Sequence, residues 1–452
     1  MHPIQRPEYR RFRGAFVLGA ALLVGCAART PLTEVSPSEI PTLEARLASS
    51  PADPDVLLRY AAALFAGDRC DSATVVATRG WSADRSNALG PLIVGQCAER
   101  AGSLDHAVDV YAAYLAAYPQ SRGAPAVRAR ETIARRARAG ERAREALARE
   151  AELADTPPNP QAVAVLPLEV AGDSTYQPLG RGIAQMMISD FGLIGRFPLV
   201  ERIEVNALLQ EMELAQTGRV DPETAARVGH LIQAGRLVQG VATIPPSEQA
   251  RLEANVVQTS GEILTPGAAT GNLRELILME KRLVLALARR MGYQLSQAEQ
   301  RRILENGTES LLAFLAYSRG LLEEDVGNFS AAAQQYAEAV RQDPGFQAAR
   351  QRYNATVAVP MAQRSTPSQV TFLAATTAVD PAPTGGDALP SGGALTTVLG
   401  DIASTHSEQT STTGHEQTTQ QASDTPIATP PPGVIGVPGG TIGIIRIIFV
   451  IP

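Results

Sequence analysis

Lysine is almost absent from this chain of 452 residues: Lys281 is the only one, and arginine supplies the other long cationic side chains. Because no glycine-rich loop ends in Lys-Ser or Lys-Thr, a P-loop nucleotide site is excluded. Aromatic residues make up 5% of the chain, with one tryptophan, and the net charge is −6. An acidic chain with few stacking side chains lacks the footprint of a nucleic-acid-binding protein, so we expect no nucleic-acid partner.

The signatures of enzymes and metal sites are missing too. The five histidines are His2, His106, His230, His406 and His415. They form no His-Glu-x-x-His motif, and none pairs with a cysteine at zinc-ligand spacing. Gly180-Arg-Gly182 is half of a dinucleotide-binding fingerprint, but Gln185 occupies the position of the third glycine. We therefore expect a non-enzymatic protein with no catalytic residues, cofactor or metal.

An export signal is indicated at the start of the chain. Four arginines between positions 6 and 13 precede the apolar run 15–25. As a helix this run would rise about 16 Å, half of the roughly 30 Å hydrocarbon core, so it is too short for a stable span. An apolar run of this length behind a cationic start is typical of a secretion signal.

Residues 23–26, LVGC, resemble a bacterial lipobox. That resemblance implies a signal peptide over 1–25, lipidation of Cys26 and, because Ala27 follows, anchoring at the periplasmic face of the outer membrane. Several acyl chains would make the anchor durable. The alternative is an ordinary signal peptide followed by an unmodified cysteine. Residues 26–41 are predicted to be a tether.

Export also bears on the two other cysteines, Cys70 and Cys97. Disulfides persist in oxidising compartments, so these residues are a possible disulfide pair. The alternative is that both are small buried apolar side chains.

Two helical stretches far apart in the chain share one spacing. The shared residues lie at a constant offset of 225: Gly95, Gly102, Ala107, Tyr111 and Pro119 recur as Gly320, Gly327, Ala332, Tyr336 and Pro344. This spacing resembles the tetratricopeptide repeat, a helix–turn–helix unit of 34 residues. It predicts packing positions at these residues and at Ala339, with repeats over 42–153 and one more over 303–353. Plain helical hairpins without that lineage are the alternative.

Residues 124–153 are rich in arginine and glutamate. We expect a solvated connecting helix with ion pairs at Glu131–Arg135 and Glu145–Arg149, four residues apart. The alternative is a binding face for anionic lipid or glycan. The prolines of TPPNP, 156–160, then predict a boundary because adjacent prolines break helices.

The middle region, 160–295, has an alternating strand and helix pattern. Strands are predicted at 162–168, 197–201, 236–244 and 251–259, and helices at 181–194, 203–214, from Pro222 onward, and at 272–291. The segment after the last strand is predicted to be a turn that leads straight into the closing helix.

The order of these elements, with residues 199–211, 216–228 and 259–264, resembles the CsgG-type and TolB-N-like family of envelope lipoproteins. The resemblance implies a small mixed sheet flanked by helices, no catalytic residues, and roles in secretion or envelope assembly, often as rings. A CsgG-type channel needs two long membrane-spanning hairpins per subunit. Only 245–250 join strands 236–244 and 251–259, which leaves no room for them.

We therefore favour an accessory lipoprotein that binds protein partners through its repeats, with a possible homo-oligomer. A CsgG-like secretion channel component or an activator of an envelope enzyme are the alternatives. Residues 365–433 are low in complexity and are predicted to be disordered. The apolar segment 434–452 is expected to add a strand to a partner's edge, dock on its own sheet or aggregate. The predicted fold class is α+β and multidomain.

Overall fold

The computed structural model describes residues 35–213, 222–245 and 249–369. The signal peptide, Cys26 and most of the tether lie outside the described residues, as does everything from 370 onward, including the apolar segment. Of the predicted disordered region 365–433, only 365–369 are described, and Thr366 and Gln369 are hydrogen-bonded to each other there. The chain is already packed at the end of the predicted tether. Val35 is buried, and a short 3-10 helix follows at Pro37–Glu39.

The described residues before the sheet are helical. Their helices are α1 (Ile40–Ser49), α2 (Pro54–Ala66), α3 (Cys70–Ala83), α4 (Leu89–Arg100), α5 (Leu104–Ala117), α6 (Ala124–Ala148) and α7 (Glu150–Asp155). Successive pairs form hairpins, and their apolar faces meet in shared cores. The turn between α4 and α5 closes at Gly102, whose φ of +74° is a left-handed conformation that glycine adopts without steric cost.

Five strands form a mixed sheet. They are β1 (Asn159–Val165), β2 (Glu169–Gly172), β3 (Ala234–Ile244), β4 (Gln249–Gln258) and β5 (Ile263–Asn272). The order is β1-β3-β4-β5, and β2 also pairs with β3. β1 and β2 run parallel to β3, while β4 and β5 are antiparallel. The flanking helices are α8 (Leu179–Ile194), α9 (Arg202–Glu211), α10 (Pro222–Leu231) and α11 (Leu276–Arg290).

Two strand predictions need correction. The strand predicted at 197–201 is reduced to one bridge between Val163 and Leu199. The segment predicted as a turn is strand β5, whose glycines and proline hid the strand pattern. Gly267 is required there because a Cβ would lie 2.7 Å from Leu283 of α11.

Helices cover both faces of the sheet at β1. Val163 and Val165 of β1 pack with α8 and α11, whereas Ala162 and Ala164 pack with α9 and α10. This alternation follows from the two-residue period of a strand. The α+β fold class is therefore confirmed.

The last described helices return to the repeat pattern. They are α12 (Gln297–Leu304), α13 (Leu311–Asp325), α14 (Phe329–Gln342), α15 (Gln347–Thr356) and α16 (Val359–Ala362). One core joins α13 and α14 to the sheet, and it includes Phe314, Tyr317 and Phe346. A single hairpin of this kind is marginal by itself, and here the sheet completes its core.

Candidate functional site

The two copies of the shared spacing have nearly the same internal geometry. A Cβ at Gly95 would lie 2.3 Å from the Tyr111 ring, and a Cβ at Gly320 would lie 2.5 Å from the Tyr336 ring. Only glycine lets each tyrosine lie against the preceding helix. Ala107, Ala332 and Ala339 are fully buried, Gly102 and Gly327 have φ of +74° and +82°, and Pro119 and Pro344 follow the ends of α5 and α14.

Each copy also contains a glutamate that the sequence reading missed. Tyr111 donates a hydrogen bond to Glu99 over 2.6 Å, and Tyr336 donates one to Glu324 over 2.5 Å. The sequence contains a signal for this pair, because Glu99 and Glu324 are separated by 225 residues, like the other residues that the two copies share. A buried hydroxyl needs such an acceptor, and a charged one strengthens the hydrogen bond.

Glu324 and its neighbour Asp325 are the centre of a buried ion network. Arg202 of α9 pairs with both carboxylates, and Arg181 of α8 lies 3.1 Å from Asp325. Arg352 of α15 lies 2.8 Å from Glu324. The network therefore connects the last repeat to two helices of the sheet region.

Burial and the nearby cations act in opposite directions on Glu324. Burial disfavours its charge, but the guanidinium groups of Arg352 and Arg202 outweigh that penalty and hold its pKa below the usual value. Buried carboxylates that stay ionised need partners of this kind.

Helix α6 is not the solvated connector that its composition predicted. Arg138 is only 2% exposed, and Arg135 and Arg142 lie 3.1 Å from Glu201 and 3.0 Å from Glu204. These arginines pack α6 against α9. The pair Glu131–Arg135 is present at 2.8 Å, whereas Arg149 pairs with Glu152 rather than with Glu145.

A cleft of about 520 Å³ lies where α6 and α9 meet the last repeat. Its lining includes the small residues Ala137, Gly140 and Ala207 and the polar residues Arg136, Asn206 and Gln210. Its volume falls within the range of about 300–1,000 Å³ that is common for binding sites.

The polar lining of the cleft is held in place by the ion network. Asn206 and Gln210 donate amide hydrogen bonds to Asp325, over 3.0 Å to its carboxylate and 2.9 Å to its backbone carbonyl. Arg136 donates to the backbone carbonyl of Glu324 over 3.0 Å, at the end of α13. Fixed amide and guanidinium groups of this kind suit the N–H and C=O groups of a peptide.

Cys70 and Cys97 form a disulfide in the structure, with their Cα atoms 5.4 Å apart. It joins the start of α3 to α4, and so links the first hairpin to the second.

The one lysine lies in a second buried cluster. Lys281 is 2.6 Å from Asp190 and 3.2 Å from Glu280, and all three side chains are buried. Burial, together with the charge of Asp190, raises the pKa of Glu280 well above its usual value. This cluster lies between α8 and α11 within the core, away from the lining of the cleft.

Within the described ranges, no group of His, Cys, Asp and Glu side chains is arranged to hold a metal ion. His230, near the end of α10, is half-buried. No helix in the described part of the chain is long and apolar enough to cross a membrane.

Residues 158–244 match the family model described as curli production assembly/transport component CsgG. The resemblance of this segment to CsgG is confirmed. The match runs from the start of β1 to the end of β3 and includes α8 and α9, so Arg181 and Arg202, which pair with Asp325 of the last repeat, belong to this CsgG-like segment.

A solved structure that is similar to the chain is a tetratricopeptide repeat protein from Parabacteroides merdae. The identity is 13%, the alignment covers 71% of this chain and 91% of that chain, and the TM-score is 0.20. Because that score is too low to support an argument, our description of the hairpins as repeat-like depends on their own geometry. No curated protein matches the chain.

Proposed function

We propose that this chain is a non-enzymatic lipoprotein, anchored through Cys26 at the periplasmic face of the outer membrane, that binds a protein partner in envelope assembly or secretion. The match of 158–244 to a curli assembly and transport component supports a role in envelope assembly or secretion. The Cys70–Cys97 disulfide supports an oxidising compartment.

The observation that carries the binding role is the cleft between α6, α9 and the last repeat. Its amides are oriented by Asp325, and its arginine is oriented by the end of α13. A site built at the junction of two structural regions is a common place for ligands. We propose that an extended segment of the partner binds there.

A matched pair of variants at Gly140 tests this site. A Cβ at Gly140 would meet only the flexible end of Arg144, at 3.5 Å, so a methyl group fits there without disturbing the core. Gly140→Leu fills the cleft, whereas Gly140→Ala leaves most of it open and favours the helix. After crosslinking in cells, we expect Gly140→Ala to retain the co-purifying partner and Gly140→Leu to lose it. Equal capture by both variants would show that the cleft is not the site.

The anchor is tested independently. Mass spectrometry of native protein should find an acylated Cys26 as the first residue, and Cys26→Ser should leave the sedimented envelope fraction. An unmodified and uncleaved amino end would contradict the anchor while leaving the cleft test intact. Sizing of the purified protein addresses the channel alternative, since a discrete ring that conducts ions in bilayers would favour a secretion component.

A further inference from the structure

Strand β5 has an unusual edge. In the described part of the sheet, β5 pairs with β4, and no strand lies at its other edge. Natural edge strands are protected by charges, prolines or bulges. Residues 263–272 contain no charged side chain. Pro266 and a register irregularity between Leu264 and Gly267 protect only the first part of the strand.

The rest of β5, residues 267–272, offers backbone groups with little side-chain cover. Gly267 and Gly271 lie against α11 and the turn before it. An added Cβ at Gly267 would meet Leu283 at 2.7 Å and Arg290 at 3.1 Å, and one at Gly271 would meet Glu275 and Met279 at 3.2 Å. Ala268 and Thr270 are exposed on the other face. Unpaired backbone groups in an uncharged row are a template for another strand.

The chain itself contains a segment suited to that edge. Residues 441–451, TIGIIRIIFVI, have six isoleucines, one valine and one phenylalanine, with Arg446 as the single charge. β-branched and aromatic residues favour strands. The segment has eleven residues against ten in β5, and an apolar run of this length is costly to leave in water.

The connection is long enough. Residues 370–440, most of which the sequence predicts to be disordered, provide 71 residues. A coil of that length would have a root-mean-square span of roughly 42–50 Å. A domain of the size of the described region has a radius of gyration of about 20 Å. The linker therefore keeps the segment at a high local concentration around its own sheet.

We propose that residues 441–451 add to the free edge of β5 in the same chain and extend the sheet by one strand. Main-chain hydrogen bonds to 267–272 supply the pairing. Because these residues have no charged side chain of their own, they accept apolar neighbours that a charged strand would reject. This inference does not depend on the proposed partner or on the anchor.

Hydrogen exchange on the whole mature chain, compared with a chain lacking 434–452, tests the pairing. In the intact chain we expect slow exchange across 267–272 and 441–451. Deletion should speed exchange at least tenfold for the β5 amides that face the free edge, while those that donate to β4 stay protected. The amides of β3, which lies inside the sheet, should stay unchanged and so report that the deleted chain is folded.

Edge variants make the test specific to β5. Ala268→Lys and Thr270→Lys place charges at exposed positions of the edge and should release 441–451, while Ala116→Lys, at an exposed position of α5, should not. Fast exchange of the β5 amides in the intact chain, or protection unaffected by the deletion, would overturn the proposal. Protection that increases with protein concentration would also overturn it, because the occupant would then be a second copy.

Discussion

The two copies of the repeat hairpin differ at the residue that ends their first helix. This residue forms ion pairs with a different part of the chain in each copy. Arg100 in the first copy corresponds to Asp325 in the second. Arg100 forms an exposed ion pair with Asp68 of the preceding hairpin at 3.0 Å. Asp325 is buried and pairs with Arg202 and Arg181 of the sheet region. The shared glycines and tyrosines thus build the hairpin, and one charge selects its neighbour.

A common feature sharpens the comparison. In both copies the glutamate bonded to the tyrosine also receives an arginine from the following helix, Arg130 of α6 for Glu99 and Arg352 of α15 for Glu324. The first copy stops at this three-residue arrangement. In the second copy Arg202 also pairs with Glu324 and Asp325, and these ion pairs connect the repeat to the CsgG-like segment.

Removal of Asp325 should have the largest effect. Asp325→Ala leaves the buried Arg202 with only Glu324 and Gln185 as partners, and breaking such a buried pair costs about 3–5 kcal/mol of unfolding free energy. The matched variant Arg100→Ala removes an exposed pair and a stacking contact on Phe65, together worth about 1 kcal/mol. Urea denaturation of both variants measures the difference. Equal losses would mean that burial of the charge at 325 does not distinguish the copies.

The disulfide belongs to the first copy only, since Leu322 stands at the position equivalent to Cys97. The sequence separation is 27, and closing a loop of that size is worth about 3.5 kcal/mol. Reduction should therefore lower the thermal stability of the protein and speed hydrogen exchange in α3 and α4 before α13 and α14. The double variant Cys70→Ala, Cys97→Ala serves as a control and should not respond to reductant. A reductant effect that persists in this control cannot come from the disulfide.

Glu324 gives the second copy a dependence on acid. Its pKa in the folded state is below the ordinary value of 4.5, so the stability it contributes is complete above about that pH and is lost as the pH falls through the folded pKa. Glu324→Gln should cost about 2 kcal/mol at pH 7, since a charged hydrogen-bond acceptor is lost. The gap between the two proteins should narrow below pH 4.5. A gap that is constant from pH 7 to pH 3 would show that the carboxylate is not held ionised.

A feature of this fold could be predicted from the sequence only where the residues that determine it form a local or repeated pattern. The hairpins could be predicted because Gly95 and Gly320 recur with their tyrosines at one offset. Strand β5 could not, because the requirement for Gly267 comes from Leu283 of α11, a contact that local pattern does not show. The arginines of α6 have the composition of a solvated helix, and only the fold brings Glu201 and Glu204 to them.

The candidate site was beyond prediction for the same reason. Asp325 and Arg202 are 123 residues apart, and nothing in either local segment marks them as partners. Sequence offset identified the repeat, but the cleft is formed by residues from α6, α9 and α13, which have no common pattern. Features within one repeated unit could therefore be inferred, whereas features between units required the structure.

The smallest predicted loss of stability concerns the turn glycine that the two copies share. Gly102 and Gly327 both have positive φ, and a side chain at either would be strained whatever the space around it. A Cβ at Gly102 meets nothing within 4 Å, and a Cβ at Gly327 meets only Arg136 at 3.5 Å, an ordinary contact. Gly102→Ala and Gly327→Ala should therefore each cost about 1 kcal/mol by chemical denaturation. If Gly327→Ala costs several times more than Gly102→Ala, the added methyl must displace Arg136 from the end of α13, and the turn would then be part of the joint rather than of the repeat.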